Sequence, residues 1–333
     1  MHWQRRLFVP CLTLLLIVVF VSISVILKRI TQESIIDGTM YDRAYAIAWN
    51  KAENIIVVGG FSVQFHNQEG DLQDTLTVDL RLGRVTTIQW SEDSQLLGIV
   101  QEHGMQVFSV TQSTPIRLIP IQNASAVLQS VTWSPDGKQI ALGTSQSTLQ
   151  VVDMVNNRIQ YARAVGAGEL DGIVKVVYVA SGNQLLCVTQ RGTVAIYDAK
   201  TGIEVLNFKL DIGDSDVISA SYSQSNNALL IGTYSGELLF SDLSFWAVSK
   251  MSVPDRSIQW VGWNRDGKLA AYLSDGGEIQ VLRCENVHTI SDCVSLTSVL
   301  STVPIEAVAW GVQSDRLVFI DASERIGMSE RVD

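Results

Sequence analysis

With a formal net charge of −10 over 333 residues, the chain repels phosphate backbones, which excludes binding nucleic acid through a basic surface. Long-range steering favours basic partners instead. A hydrophobic content of 47% with 17% charged residues and 6 prolines fits a β-rich globular chain plus one membrane segment.

The amino-terminal tail, residues 1–6, carries Arg5 and Arg6 and precedes 21 uncharged residues, 7–27 (LFVPCLTLLLIVVFVSISVIL). As a helix this stretch spans about 31 Å, matching a bilayer core of about 30 Å. It is expected to form a transmembrane helix, with residues 28–32 as a short linker. A cleaved signal peptide has a shorter apolar region of about 7–15 residues and small residues at its cleavage site. Here Lys28 and Arg29 stand in that place, so the segment reads as an uncleaved signal-anchor, with Cys11 a lipid-facing or packed thiol. Lys and Arg nearly balance on the two sides, and the short basic tail tips the orientation toward tail inside, remainder outside the cytoplasm. Two features agree with that orientation. Cys284 and Cys293 bracket one loop closely enough to bridge, which an oxidising compartment would preserve. Asn123-Ala124-Ser125 is a glycosylation acceptor triplet. The alternative is a cytosolic domain.

Beyond the linker one pattern recurs seven times. An aromatic closes a short alternating run at Trp49, Trp90, Trp133, Tyr178, Tyr222, Trp263 and Trp310, at spacings of 41, 43, 45, 44, 41 and 47 residues. A polar turn follows each, such as Ser134-Pro135-Asp136-Gly137, and then an apolar run such as 140–144. Repeats of about 40–45 residues with several strands each are the signature of propeller blades. Alternation and turn residues place the strands of the first repeat at 45–49, 54–58, 62–66 and 75–79. Later outer strands fall near 116–121, 158–162, 204–208, 247–251 and 294–299. The seventh repeat has strands at 305–310, 316–320 and 325–329 but no fourth. Residues 33–37 (ESIID) are the one unassigned strand-like run before the first repeat. Paired with the last repeat's third strand they would close the ring and leave no long unpaired edge. The expected fold is all-β: a seven-bladed propeller of four-stranded antiparallel blades over residues 33–333, preceded by the transmembrane helix.

These residues resemble the WD-repeat propeller family over residues 33–329. The resemblance rests on blade spacing, on turns such as 134–137, and on third-strand ends such as Ile196-Tyr197-Asp198 and Val152-Asp153. No Trp-Asp dipeptide occurs and the family's Gly-His pair is missing from every repeat, so its usual hydrogen-bonded tetrad cannot be built. The family's strand order implies that the outer strand rises from bottom to top. With the anchor entering that strand within about five residues, the bottom rim would lie near the bilayer and the top face would point away.

That top face carries the candidate partner-binding residues: Glu169, Asp171, Asp211, Asp214, Asp216, Tyr234, Asp255 and Asp275, with Phe61 and His103 nearby. The charge is mainly acidic, which favours a partner with a basic segment. Ordinary solvated loops are the bland reading of any one of these positions.

Motifs for chemistry are missing. There is no GxxxxGK[ST] loop, GxGxxG turn or GxSxG elbow, and His2, His66, His103 and His288 show no metal-ligand spacing with another His or Cys. Asp211, Asp214 and Asp216 lack the EF-hand ligand order and read as a polar turn rather than a calcium site. Cys284, His288 and Cys293 read as a loop disulfide or free thiols rather than a metal site. No catalytic residue, metal or cofactor is assigned. The leading expectation is a membrane-anchored interaction scaffold docking a protein partner on its acidic top loops. The alternatives are a ligand-sensing or enzymatic propeller using the central channel, and a cytosolic exchange-factor-like propeller acting on a small GTPase at an endomembrane.

Overall fold

The computed structural model describes residues 34–36, 44–50, 52, 54–110, 114–123, 125–166, 171–244, 247–253, 256–284, 289–300, 303–311, 315–329 and 331–332. It contains seven four-stranded antiparallel sheets, each running from an inner strand at the central channel to an outer strand at the rim. The inner strands are Ala46–Trp49, Val85–Trp90, Leu128–Trp133, Ile173–Val179, Val217–Ser223, Ile258–Trp263 and Ile305–Trp310, so each carries one of the recurring aromatics. In the seventh blade the order from the rim inward is Ser34–Ile36, Ile326–Met328, Leu317–Asp321 and Ile305–Trp310.

Burial explains the strand chemistry. Second strands such as Ala228–Thr233 are buried at every position because a neighbouring blade covers each face, so they read as continuous apolar runs instead of alternating ones. Outer strands such as Glu204–Lys209 lie almost wholly in solvent and mix polar residues with exposed apolar ones such as Val205 and Leu206. The core is therefore a set of clusters between blades. One joins Ala44, Ile47, Trp49, Ile56 and Val58 of the first blade to Val318, Ile320, Ile326 and Met328 of the seventh. Inner strands are also stitched by hydrogen bonds. Ser130 Oγ accepts from Val176 N at 2.9 Å, Ser219 Oγ from Val261 N at 3.0 Å, and Ser221 Oγ from Trp263 N at 3.1 Å.

The turns after Trp90 and Trp133 share one local solution. Ser134 Oγ donates to Asp136 Oδ1 and accepts from Gln139 N, while Asp136 also accepts from Lys138 N. Ser91 with Asp93 repeats the arrangement in the second blade. Short polar side chains satisfying their own turn explain why Ser, Asn and Asp recur there.

One strand boundary is corrected. The outer strand of the first blade is Leu72–Leu76, not 75–79. Asn67 Oδ1 accepts from Asp71 N and His66 Nδ1 meets the Gly70 carbonyl, so the hairpin closes early. Asp79 then caps the turn Leu80–Leu82 and ends the extended chain.

The expected single-pass membrane localisation is also corrected. Among the described residues no helix is long and apolar enough to cross a membrane; the helical segments are three single turns, Leu80–Leu82, Ala180–Gly182 and Ile290–Asp292. The tail 1–6, the stretch 7–27 and the linker 28–32 lie outside the described residues. The expectation rested on local hydropathy and the flanking charges, which fix neither a helix nor a bilayer around it, and the outside orientation built on it falls with it.

Across all seven inner strands the charged residues are Lys175 and Glu306. Lys175 is half-buried in the channel wall, and desolvation lowers its pKa from the ordinary 10.5. A lysine depressed in the folded state binds fewer protons there than in the unfolded chain. Its stability penalty is full below the folded pKa and fades as pH rises toward 10.5. Tyr161 and Tyr178 act oppositely, since burial raises their pKa values and stability falls as they ionise in the unfolded chain. The difference between Lys175→Met and wild type isolates the lysine. The variant is expected to melt higher at neutral pH, with the gap narrowing at alkaline pH; a constant gap would refute the assignment.

Candidate docking groove on the top face

Antiparallel blades place two kinds of loop on the top face: those joining an outer strand to the next inner strand, and the hairpins between second and third strands. A groove of about 460 Å³ opens there between the loop 210–216 and the hairpin 234–236 of the fifth blade. Its walls include Asp211, Asp214, Tyr234, Glu237 and Lys250. Asp211 and Asp214 are exposed, and among the described residues Tyr234 is the most exposed large ring at 68%.

The loop is held in place by its own polar groups. Ile212 and Leu210 are buried and anchor it to the core between the fourth and fifth blades. Ser215 Oγ accepts from Ser235 N at 2.9 Å, and the Asp216 carbonyl accepts from Tyr234 N at 2.9 Å. Loop and hairpin are thereby tied together, which presents Tyr234 beside the carboxylates. Lys250 Nζ lies 3.2 Å from Glu237 Oε1. Three carboxylates face one ammonium, so the groove is net acidic.

The other expected residues separate. Asp216 supports the loop, its Oδ2 accepting from Gln190 Nε2 at 3.3 Å, and does not line the groove. Asp275 is exposed on another blade and accepts from Ser257 Oγ. Asp171 is corrected: it is 3% exposed, its Oδ1 accepts from Arg191 N at 2.7 Å, and it presents no surface to a partner. Glu169 and Asp255 lie outside the described residues. Phe61 is half exposed on a different blade, and His103 Nδ1 approaches the Ala126 carbonyl at 3.4 Å.

Glu237 and Lys250 escaped the sequence reading because they sit on strands. Glu237 begins the third strand, Glu237–Asp242, and pairs with Ser252 of the outer strand, Ala247–Ser252. That register is the signal that would have placed both beside the 234–236 hairpin. Among the described residues no group of three or more His, Cys, Asp or Glu is arranged to hold a metal. On the bottom face Cys284 and Cys293 form a disulfide, with Cα atoms 4.4 Å apart. His288 lies outside the described residues.

No family model matches the chain. Among curated proteins it is similar to "Cell division cycle 20.1, cofactor of APC complex" of Arabidopsis thaliana, 25% identical over 71 residues. The match covers 21% of this chain and 15% of that protein. Among solved structures it resembles the β-propeller domain of Myceliophteria thermophila Cps50 (Swd1), with a TM-score of 0.74 and 15% identity. That superposition covers 89% of this chain and 98% of the other, and at this identity the likeness concerns the fold. Spacing, strand order and superposition agree on the fold: the chain is a seven-bladed β-propeller of four-stranded blades.

Proposed function

We propose that this propeller is a non-enzymatic protein-interaction scaffold, and that the groove beside Tyr234 docks a basic segment of a partner protein. The observation that carries the reading is the meeting of an exposed aromatic ring with Asp211, Asp214 and Glu237 in one groove. Tyrosine supplies contact area at low entropic cost, and flanking charges set on-rate and register. The relative in Arabidopsis is named as a cofactor of a complex, which agrees with an adaptor role.

The test is capture by a photo-crosslinker placed at Ser235, with partner binding then measured for Asp211→Asn/Asp214→Asn and for Tyr234→Ala. Rim charges contribute about 0.2–1 kcal/mol each, so the double variant is expected to bind about fivefold more weakly, with a shallower salt dependence. Both carboxylates are exposed, so the melting temperature should not move. Binding undiminished in both variants would sink the proposal.

A further inference from the structure

The opposite face holds a second feature. Where the inner strands end, a vestibule of about 720 Å³ opens into the channel, walled by Trp49, Trp90, Trp133, Tyr178 and Trp310. These are five of the seven aromatics that mark the repeats. Glu92 and Arg265 line the same vestibule. Glu92 follows the inner strand of the second blade and Arg265 that of the sixth, positions nearly opposite around the ring. Their side chains nonetheless meet: Arg265 Nη2 donates to Glu92 Oε1 at 3.1 Å. The pair is separated by 173 residues and lies across the channel mouth like a strap.

We propose that this vestibule is a binding site for a guanidinium cation, an arginine side chain presented by another polypeptide, and that Arg265 competes with it for Glu92. Three observations carry this. Aromatic rings attract cations through their quadrupole, and of the five here Trp90 and Trp310 keep part of their surface exposed, while Trp49, Trp133 and Tyr178 are buried. Glu92 supplies the carboxylate that a guanidinium matches with two parallel hydrogen bonds. The chain's own guanidinium already engages that carboxylate, which shows that the group fits. The strap is built to yield: the side chains are well exposed, at 49% for Arg265 and 62% for Glu92, and such pairs are weak. An incoming arginine would exchange one partner of Glu92 for another while gaining the aromatic walls. The site lies on the face opposite the acidic groove, so it stands or falls independently of the proposed docking there.

The test is tryptophan fluorescence of the full chain titrated with N-acetyl-arginine amide, and with the neutral isostere N-acetyl-citrulline amide. Wild type should respond to the arginine derivative alone. Arg265→Gln, which removes the competitor and keeps a polar side chain, is expected to bind it about three- to fivefold more tightly. Glu92→Gln should weaken binding about fivefold or more. Equal affinity in wild type and Arg265→Gln would overturn the competition, and affinity undiminished by Glu92→Gln would overturn the site. No saturable response in Arg265→Gln, or an equal one to citrulline, would overturn the proposal outright. Arg265→Ala, compared by melting temperature, guards against a folding defect in the glutamine variant.

Discussion

Replacing Gly236 by alanine is expected to destabilise the propeller by about 3 kcal/mol or more. Gly236 has φ +82°, and a Cβ there would lie 2.1 Å from the Arg256 carbonyl oxygen and 2.7 Å from that of Val253. Both are backbone atoms of the loop leading to the sixth blade, so no side chain can rotate out of the way. The left-handed backbone alone costs about 1–2 kcal/mol for a residue with a Cβ, and the displaced loop adds the rest. That loop is bonded to the same turn, Val253 N donating to the Gly236 carbonyl at 2.8 Å. Gly213→Ala is the control: its φ is +59°, but nothing lies within 4 Å of the added carbon, so it should cost only about 1 kcal/mol. Denaturant midpoints at unchanged m-value measure both. Equal losses would show that the close approach of Arg256 contributes nothing. Because Gly236 ends the hairpin bearing Tyr234, partner binding at the groove should fall with stability in the first variant.

Phe240→Ala is expected to cost about 3–5 kcal/mol. Phe240 is 1% exposed on the third strand of the fifth blade and meets Trp263 of the sixth edge-on, with ring centroids 6.1 Å apart at 72°. Its cluster includes Leu230, Leu238, Ile258 and Val261, so the ring is a joint between two blades. Truncation removes the burial of a large side chain and leaves a cavity that two rigid sheets cannot collapse to fill. Phe240→Leu retains much of the volume and should cost about 1–2 kcal/mol. Urea titration followed by tryptophan fluorescence reports both stability and the altered environment of Trp263. A loss below about 1 kcal/mol for the alanine variant would mean that the blades pack loosely here.

How much of this was legible beforehand varies by residue. The aromatics Trp49 to Trp310 and the polar turns behind them mark seven blades because each inner strand and its turn form from contiguous residues, with bonds such as Ser134 to Asp136 inside one turn. Outer-strand limits were less legible, since the hairpin at Asn67–Asp71 decides where Leu72–Leu76 begins. The acidic residues divide on the same principle. Asp211 and Asp214 look like exposed loop carboxylates and are. Asp171 has the same local appearance but is buried because Arg191 N, from the next hairpin, claims its oxygen.

The amino-acid sequence by itself determined the repeat, the blade number, the antiparallel strand pattern and the acidic character, because each follows from periodicity and composition within about forty residues. Only the tertiary structure decided which side chains share a site. It placed Glu237 and Lys250 beside Tyr234 through strand register, and it brought Glu92 to Arg265 across the channel. The physical reason is that a propeller is a closed ring: residues far apart in the chain meet where turns converge on the axis, and no local pattern of hydropathy or charge encodes that convergence.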